Sequence, residues 1–154
     1  MSELYDLFLK HPRISTDTRK IEPDSIFFAL RGANFDGNRF VAEALEKGAA
    51  YAVSDDAGTA AADERIRYAE DTLQALQELA REHRRALGIP ILAISGSNGK
   101  TTTKELVSRV LAERFAVYAT RGNLNNHIGV PLTLLSMTRD TEFGVVEMGA
   151  SACG

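Results

Sequence analysis

Apolar positions along the chain fall into short blocks separated by polar turns, and the blocks carry two different periods. Residues 25–30 (SIFFAL) form an unbroken apolar run suited to a buried strand. Residues 39–47 then place Phe40, Val41, Ala44 and Leu45 on one helical stripe, which Gly48 ends. A second strand is predicted over 50–54 (AYAVS), and the Ala-, Gly- and Asp-rich stretch 55–63 predicts a surface loop. Strand, helix and strand in so short a span indicate an α/β unit.

Residues 72–87 carry the clearest helical period. Leu73, Leu76, Ala80, His83 and Leu87 recur at spacings of three and four, while Arg81, Glu82, Arg84 and Arg85 are free to face water. Asp71 or Thr72 is placed to cap its start, and Gly88 followed by Pro90 stops it. The chain is thereby divided into halves, 1–88 and 89–154. In the second half, strands are predicted at 91–94, 117–119 and 143–146, with a helix over 102–115 whose apolar side carries Leu106, Val110 and Leu111. Strands alternating with helices predict a parallel sheet with right-handed crossovers. The fold class expected is α/β: a small N-terminal α/β domain, then the incomplete start of a parallel-sheet domain. That half offers fewer strands than a doubly wound domain needs, so the chain reads as part of a longer protein.

Composition narrows the function classes. Hydrophobic residues at 44% and charged residues at 25% are those of a globular protein, and no apolar run is long enough to predict a membrane-spanning helix. A net charge of −3 argues against broad electrostatic binding of nucleic acid. The single Cys153 cannot form an internal disulfide, which fits a reducing cytoplasm, and the acid-bearing N-terminus does not read as a secretory signal.

The strongest chemical signal is Ser95-Gly96-Ser97-Asn98-Gly99-Lys100-Thr101-Thr102-Thr103, between a predicted strand and a predicted helix. Binding phosphate this way needs consecutive backbone amides turned inward around an anion, which glycines permit, with a helix N-terminus behind them. Gly96, Ser97, Asn98, Gly99, Lys100, Thr101 and Thr102 are therefore the candidate nucleotide-binding residues. Lys100 is placed to reach the β- and γ-phosphates, and the Thr101 hydroxyl to ligate Mg²⁺. The general pattern has glycine where this chain has Ile94, so the loop is a compact variant. Glu147 follows an apolar strand at the edge where parallel α/β sheets bind ligands, making it a candidate catalytic acid and metal ligand beside Thr101. Residues 120–131 (TRGNLNNHIGVP) are dense in amides, which both donate to phosphate or carboxylate oxygens and accept from substrate donors. A plain asparagine-rich turn before a helix accounts for the same composition. The histidines show no metal-ligand spacing; His83, on the apolar stripe, reads as a core or interdomain residue.

Together these residues resemble the Mur ligases, ATP-dependent enzymes that extend the peptide of the bacterial cell-wall precursor. GSNGKTTTKE at 96–105, GNLNNHIGVPLTLL at 122–135 and EMGA at 147–150 carry the resemblance in the second half; STDTRKIEPDSIFFALRGANFDGNRF at 15–40 carries it in the first. The resemblance implies three domains: one for the UDP-sugar, a central ATPase and one for the incoming amino acid. Residues 1–88 would be the UDP-sugar (UDP-MurNAc-peptide) binding domain, and 89–154 the first part of the ATP-binding ligase domain. It further implies ATP and Mg²⁺ as cofactors, and UDP-MurNAc-tripeptide and D-alanyl-D-alanine as substrates, since NLNNHIGVP favours the dipeptide-adding member. No nucleic acid and no membrane insertion are expected, and the remaining partners would be the C-terminal domains of the same protein.

By the same resemblance, Lys100 contacts the ATP phosphates, Thr101 and Glu147 bind magnesium, and Asn123, Asn125 and Asn126 line the region where substrates meet. Thr16, Asp17, Thr18 and Arg19 would grip the uridine diphosphate, near a turn of Arg31, Asn34, Asp36 and Gly37. The family usually shows Asp-Ser-Arg there; Thr18 keeps the hydroxyl. The implied reaction is peptide-bond formation through an acyl phosphate, and residues 1–154 alone are expected to be inactive. The alternatives are another Mur-type amino-acid ligase and a non-catalytic nucleotide-binding module.

Overall fold

In a computed structural model, residues 2–96, 99–122 and 124–149 are described. The chain forms two compact units, residues 1–79 and 80–154. In the first, helix α1 (Glu3–Lys10) opens under a Ser2 cap whose side chain accepts from the Tyr5 amide. Strands β1 (Ile14–Ser15), β2 (Ile26–Phe28), β5 (Tyr51–Ser54) and β6 (Ile66–Tyr68) form a parallel sheet in the order β1-β2-β5-β6. Between β2 and β5 the chain makes a small antiparallel hairpin, β3 (Arg31–Gly32) with β4 (Phe35–Asp36), and then helix α2 (Val41–Glu46). The apolar run at 25–30 is the centre of this sheet, and Phe27 and Phe28 are fully buried. Phe27, Ala29, Val41, Ala44, Leu45, Ala49, Ala52 and Ile66 pack as one cluster, joining the predicted stripe of α2 to the sheet.

The stretch 55–63, expected to be a loop, contains helix α3 (Ala57–Ala61). Asp56 makes the difference: its carboxylate receives the Thr59 amide at 2.8 Å and the Thr59 hydroxyl at 2.6 Å, so an alanine-rich segment that looks like loop filler is capped into a helical turn. Helix α4 (Thr72–Leu87) has the predicted bounds, and the division between the units falls within it. Asp71 does the capping, receiving the Gln74 amide at 3.0 Å, whereas the buried Thr72 hydroxyl donates to the Ala29 carbonyl at 2.8 Å.

The second unit holds β7 (Ile91–Ile94), α5 (Lys100–Ala112), β8 (Val117–Ala119), α6 (Gly129–Leu135) and β9 (Phe143–Glu147). Its sheet is parallel in the order β7-β9-β8, so the last strand inserts between the first two. His83 is buried and its Nε2 lies 2.7 Å from the Met137 carbonyl oxygen, a core role. Helix α5 starts two residues before the predicted 102–115 and ends earlier. Its expected apolar side also needs correction. Leu106 and Val110 are 60% and 71% exposed, while Lys104, Val107, Ser108 and Leu111 occupy the more buried positions. These four recur at helical spacing, and two are polar, so the buried face was not recognisable as an apolar stripe.

Candidate nucleotide site

Register sets the site. In the β7–β9 pairing Ile94 lies opposite Glu147, so the strand that feeds the glycine-rich loop ends beside the strand that delivers the acid. Gly96 (φ 136°) and Gly99 (φ 78°) hold dihedrals that L side chains rarely adopt, as a loop folding its amides inward requires. Ser97 and Asn98 lie outside the described residues. Helix α5 begins at Lys100, which is half-buried, and its first turn exposes Thr101 and Thr102.

Glu147 is 2% exposed. Its amide donates to the Thr120 hydroxyl at 2.9 Å, and its Oε1 receives Asn125 Nδ2 at 3.2 Å. Its Oε2 is buried and has no hydrogen-bond partner among the described residues. An orphaned buried carboxylate oxygen is costly unless something positive meets it. Lys104, 3% exposed, brings its ammonium to 3.6 Å and donates to the Thr120 carbonyl at 2.8 Å. Sequence reasoning missed Lys104; its signal is the spacing of four from Lys100, which puts both lysines on one helix face. A carboxylate oxygen without a hydrogen-bond donor and a threonine hydroxyl at the start of α5 are hard oxygen donors, so these residues fit Mg²⁺.

The amide-rich segment is split in its tasks. Asn125 turns its side chain to Glu147, and its carbonyl accepts the Gly149 amide at 2.6 Å. Asn126 spends its side-chain oxygen on the amides of Ile128 (3.1 Å) and Gly129 (2.7 Å), shaping the turn into α6. A Cβ on Gly129 would lie 2.5 Å from the Leu124 carbonyl carbon, so this glycine lets the segment close against the helix. Asn123 lies outside the described residues.

In the first unit, Thr16, Asp17, Thr18 and Arg19 follow β1 at the carboxyl edge of its parallel sheet. Arg19 grips Asp17 through both carboxylate oxygens (Nε 3.0 Å to Oδ1, Nη2 2.8 Å to Oδ2), and the Arg19 amide adds 2.9 Å to Oδ1. The Thr18 carbonyl accepts from Lys47 Nζ at 2.9 Å. At the same edge, Arg31 pairs with Asp55 at 2.8 Å, and Asp55 also accepts from Asn38, whose side-chain oxygen receives the Ser54 hydroxyl at 2.6 Å. Asp36 stands 4.0 Å from Arg31, and its side chain accepts from the Asn38 amide. Sequence reasoning did not single out Asp55 and Asn38, because their partners lie far off in the chain. The Arg31 guanidinium holds the Asp55 carboxyl below its usual range.

The side-chain hydrogen bond from Arg19 holds Asp17 at about 2, below its ordinary 3.8. A carboxyl depressed in the folded state contributes stability above its ordinary value, lost as pH falls from 3.8 toward about 2. Carbon-detected NMR titration is expected to give Asp17 a midpoint near 2, returning toward 3.8 in Arg19→Ala. An unchanged midpoint in the variant would contradict the pairing.

Residues 12–84 match the description "Mur ligase family, catalytic domain" and residues 94–154 match "Mur ligase middle domain". The chain belongs to the Mur ligase family. It is 44% identical over 142 residues to the UDP-N-acetylmuramoyl-tripeptide–D-alanyl-D-alanine ligase of Bacillus subtilis, covering 92% of this chain and 31% of the relative. The ligase of the same name from Escherichia coli is 39% identical over 142 residues, at the same coverages. Among solved structures, MurF from Acinetobacter baumannii superposes with a TM-score of 0.82 at 36% identity, over 90% of this chain and 30% of that one. MurF ligase from Thermotoga maritima in complex with ADP gives 0.82 at 32% identity, over 98% and 34%. The chain thus spans about a third of the length of these Mur ligases. Among the described residues, no helix is long and apolar enough to cross a membrane.

Proposed function

We propose that this chain is the first part of a UDP-MurNAc-tripeptide–D-alanyl-D-alanine ligase acting in the cytoplasm. Residues 1–88 would bind the UDP-sugar and residues 89–154 would open the ATP-binding domain. The observation that carries the reading is the β7–β9 register, which sets buried Glu147 beside the strand running into the loop at 95–99. The Thermotoga relative's complex with ADP supports the use of a nucleotide.

The chemistry explains the residue types. A carboxylate is a poor electrophile, so its oxygen first takes the γ-phosphoryl group of ATP, giving an acyl phosphate and ADP. The amine of D-alanyl-D-alanine then attacks the acyl carbon, the carbon–oxygen bond to phosphate breaks, and the amine sheds a proton. Bringing a carboxylate to a triphosphate crowds anions, which backbone amides and the Lys100 ammonium would offset. Mg²⁺, held by Thr101 and Glu147, would supply further neutralising charge when bound. Asn125 orients Glu147; Asn123 and Asn126 would line the space where the substrates meet. Thr16, Asp17, Thr18 and Arg19 would hold the uridine diphosphate, with the Arg19 guanidinium exchanging Asp17 for a phosphate.

Phosphate release from ATP, assayed at the length of the curated relatives, tests the reading. It is expected to require both UDP-MurNAc-tripeptide and D-alanyl-D-alanine, and residues 1–154 alone are expected to show none. Release independent of the dipeptide would point to another Mur-type ligase, and nucleotide binding without release to a non-catalytic module.

A further inference from the structure

We propose that Lys104 is the positioning residue of the nucleotide site: its buried ammonium holds the Thr120 carbonyl and the second oxygen of Glu147 together, and so sets where the acid stands against the loop. The inference rests on the reading that Glu147 serves the nucleotide.

Burying an ammonium is expensive, and an apolar side chain of similar length often serves stability as well or better. Lys104 is instead 3% exposed, and among the described residues its side chain has one hydrogen bond, to the Thr120 carbonyl at 2.8 Å. Its second contact is the ammonium-to-carboxylate approach of 3.6 Å, directed at the one Glu147 oxygen that Asn125 does not engage. The third, Glu105 at 3.8 Å, is mostly exposed and contributes little.

Thr120 makes this arrangement a hinge pin for three elements. Its amide donates to the Val145 carbonyl at 3.0 Å, its hydroxyl receives the Glu147 amide at 2.9 Å, and its carbonyl receives Lys104. Through that residue α5 is fastened to the end of β8 and to β9, immediately before the segment that carries Asn125. Lys104 lies one helical turn beyond Lys100 and is shielded from solvent, so it acts on the reaction through Glu147 and Thr120. Asn125 and Lys104 hold the acid from its two oxygens, and each fixes a different part of the site to it.

The test uses the ligase at the length of its curated relatives, with Lys104→Met, Glu147→Gln, the double variant and Lys104→Arg. Two readouts are taken below the melting temperature of every variant: binding of a fluorescent ATP analogue with Mg²⁺, and kcat with KM for the UDP-sugar substrate. Supporting partners of a metal ligand are typically worth about 10–100-fold, so Lys104→Met is expected to lower kcat and Mg·ATP affinity by that order, leaving the UDP-sugar KM unchanged. The double variant is expected to be no worse than Glu147→Gln alone, and Lys104→Arg to recover part of the loss. If Lys104→Met does not fold, Lys104→Gln takes its place in the cycle with the same expectation. Intact kcat and Mg·ATP affinity in a folded but less stable variant would overturn the proposal, as would losses that multiply in the double variant. A wild type that binds Mg·ATP but ligates nothing defeats the ligase reading, and the binding cycle still decides Lys104. A wild type that binds no Mg·ATP overturns both.

Discussion

Replacing Lys100 with Met is expected to reduce dipeptide-dependent phosphate release by roughly a hundred- to a thousandfold, the usual cost of deleting one preorganised group that meets charge developing in the transition state. The fold should survive the change. Lys100 is half-buried at the first position of α5 and its side chain makes no ion pair or hydrogen bond with the described residues, so nothing structural is orphaned. Methionine keeps the unbranched stem and helix propensity and loses only the charge. The loss is expected in kcat more than in KM for the UDP-sugar, which the first unit would bind. Activity within a few fold of wild type, in a variant with an unchanged melting curve, would mean that the loop at 95–99 does not hold the reacting phosphate.

Truncating Phe27 to Ala is expected to cost ~3–5 kcal/mol, as for other fully buried aromatics. That is a large share of the roughly 5–15 kcal/mol by which whole domains are stable. Phe27 sits in the middle of β2, opposite Ala52 of β5, and packs into the cluster formed with Val41, Ala44, Leu45 and Ile66. Small neighbours such as Ala29, Ala44 and Ala52 cannot close the space left behind, which places the cost toward the upper end of that range. Urea unfolding followed through amide resonances of residues 26–53 would measure it, and a change below about 1 kcal/mol would show that the cluster relaxes into the void.

Elements that announce themselves locally were legible from the chain. Helix α4 has a long apolar period, a capping aspartate and a terminating Gly-x-Pro, and its bounds match the structure. The strands at 91–94 and 117–119 are short apolar runs between polar turns and stand where expected. Less legible was anything whose logic depends on a distant partner. Lys104 looks like a solvated helix residue until Thr120 and Glu147 are folded onto it. Leu106 and Val110 look like core until the sheet is seen to contact the other side of α5. Likewise Asn38 and Asp55, seventeen positions apart in the chain, make sense only beside Arg31. Alanine-rich α3 shows a similar limit, since the Asp56 cap that organises it is also an ordinary turn residue. Gly96 and Gly99 were legible as turn glycines because they serve local backbone needs.

The close seat of Gly129 on Leu124, the two amides gathered by Asn126 and the tie between Asn125 and Gly149 hold the backbone around Asn125 through contacts within the chain that need no guest. A mould set in advance spends little motional freedom on closing around its cast, so more of the contact energy made there remains as affinity.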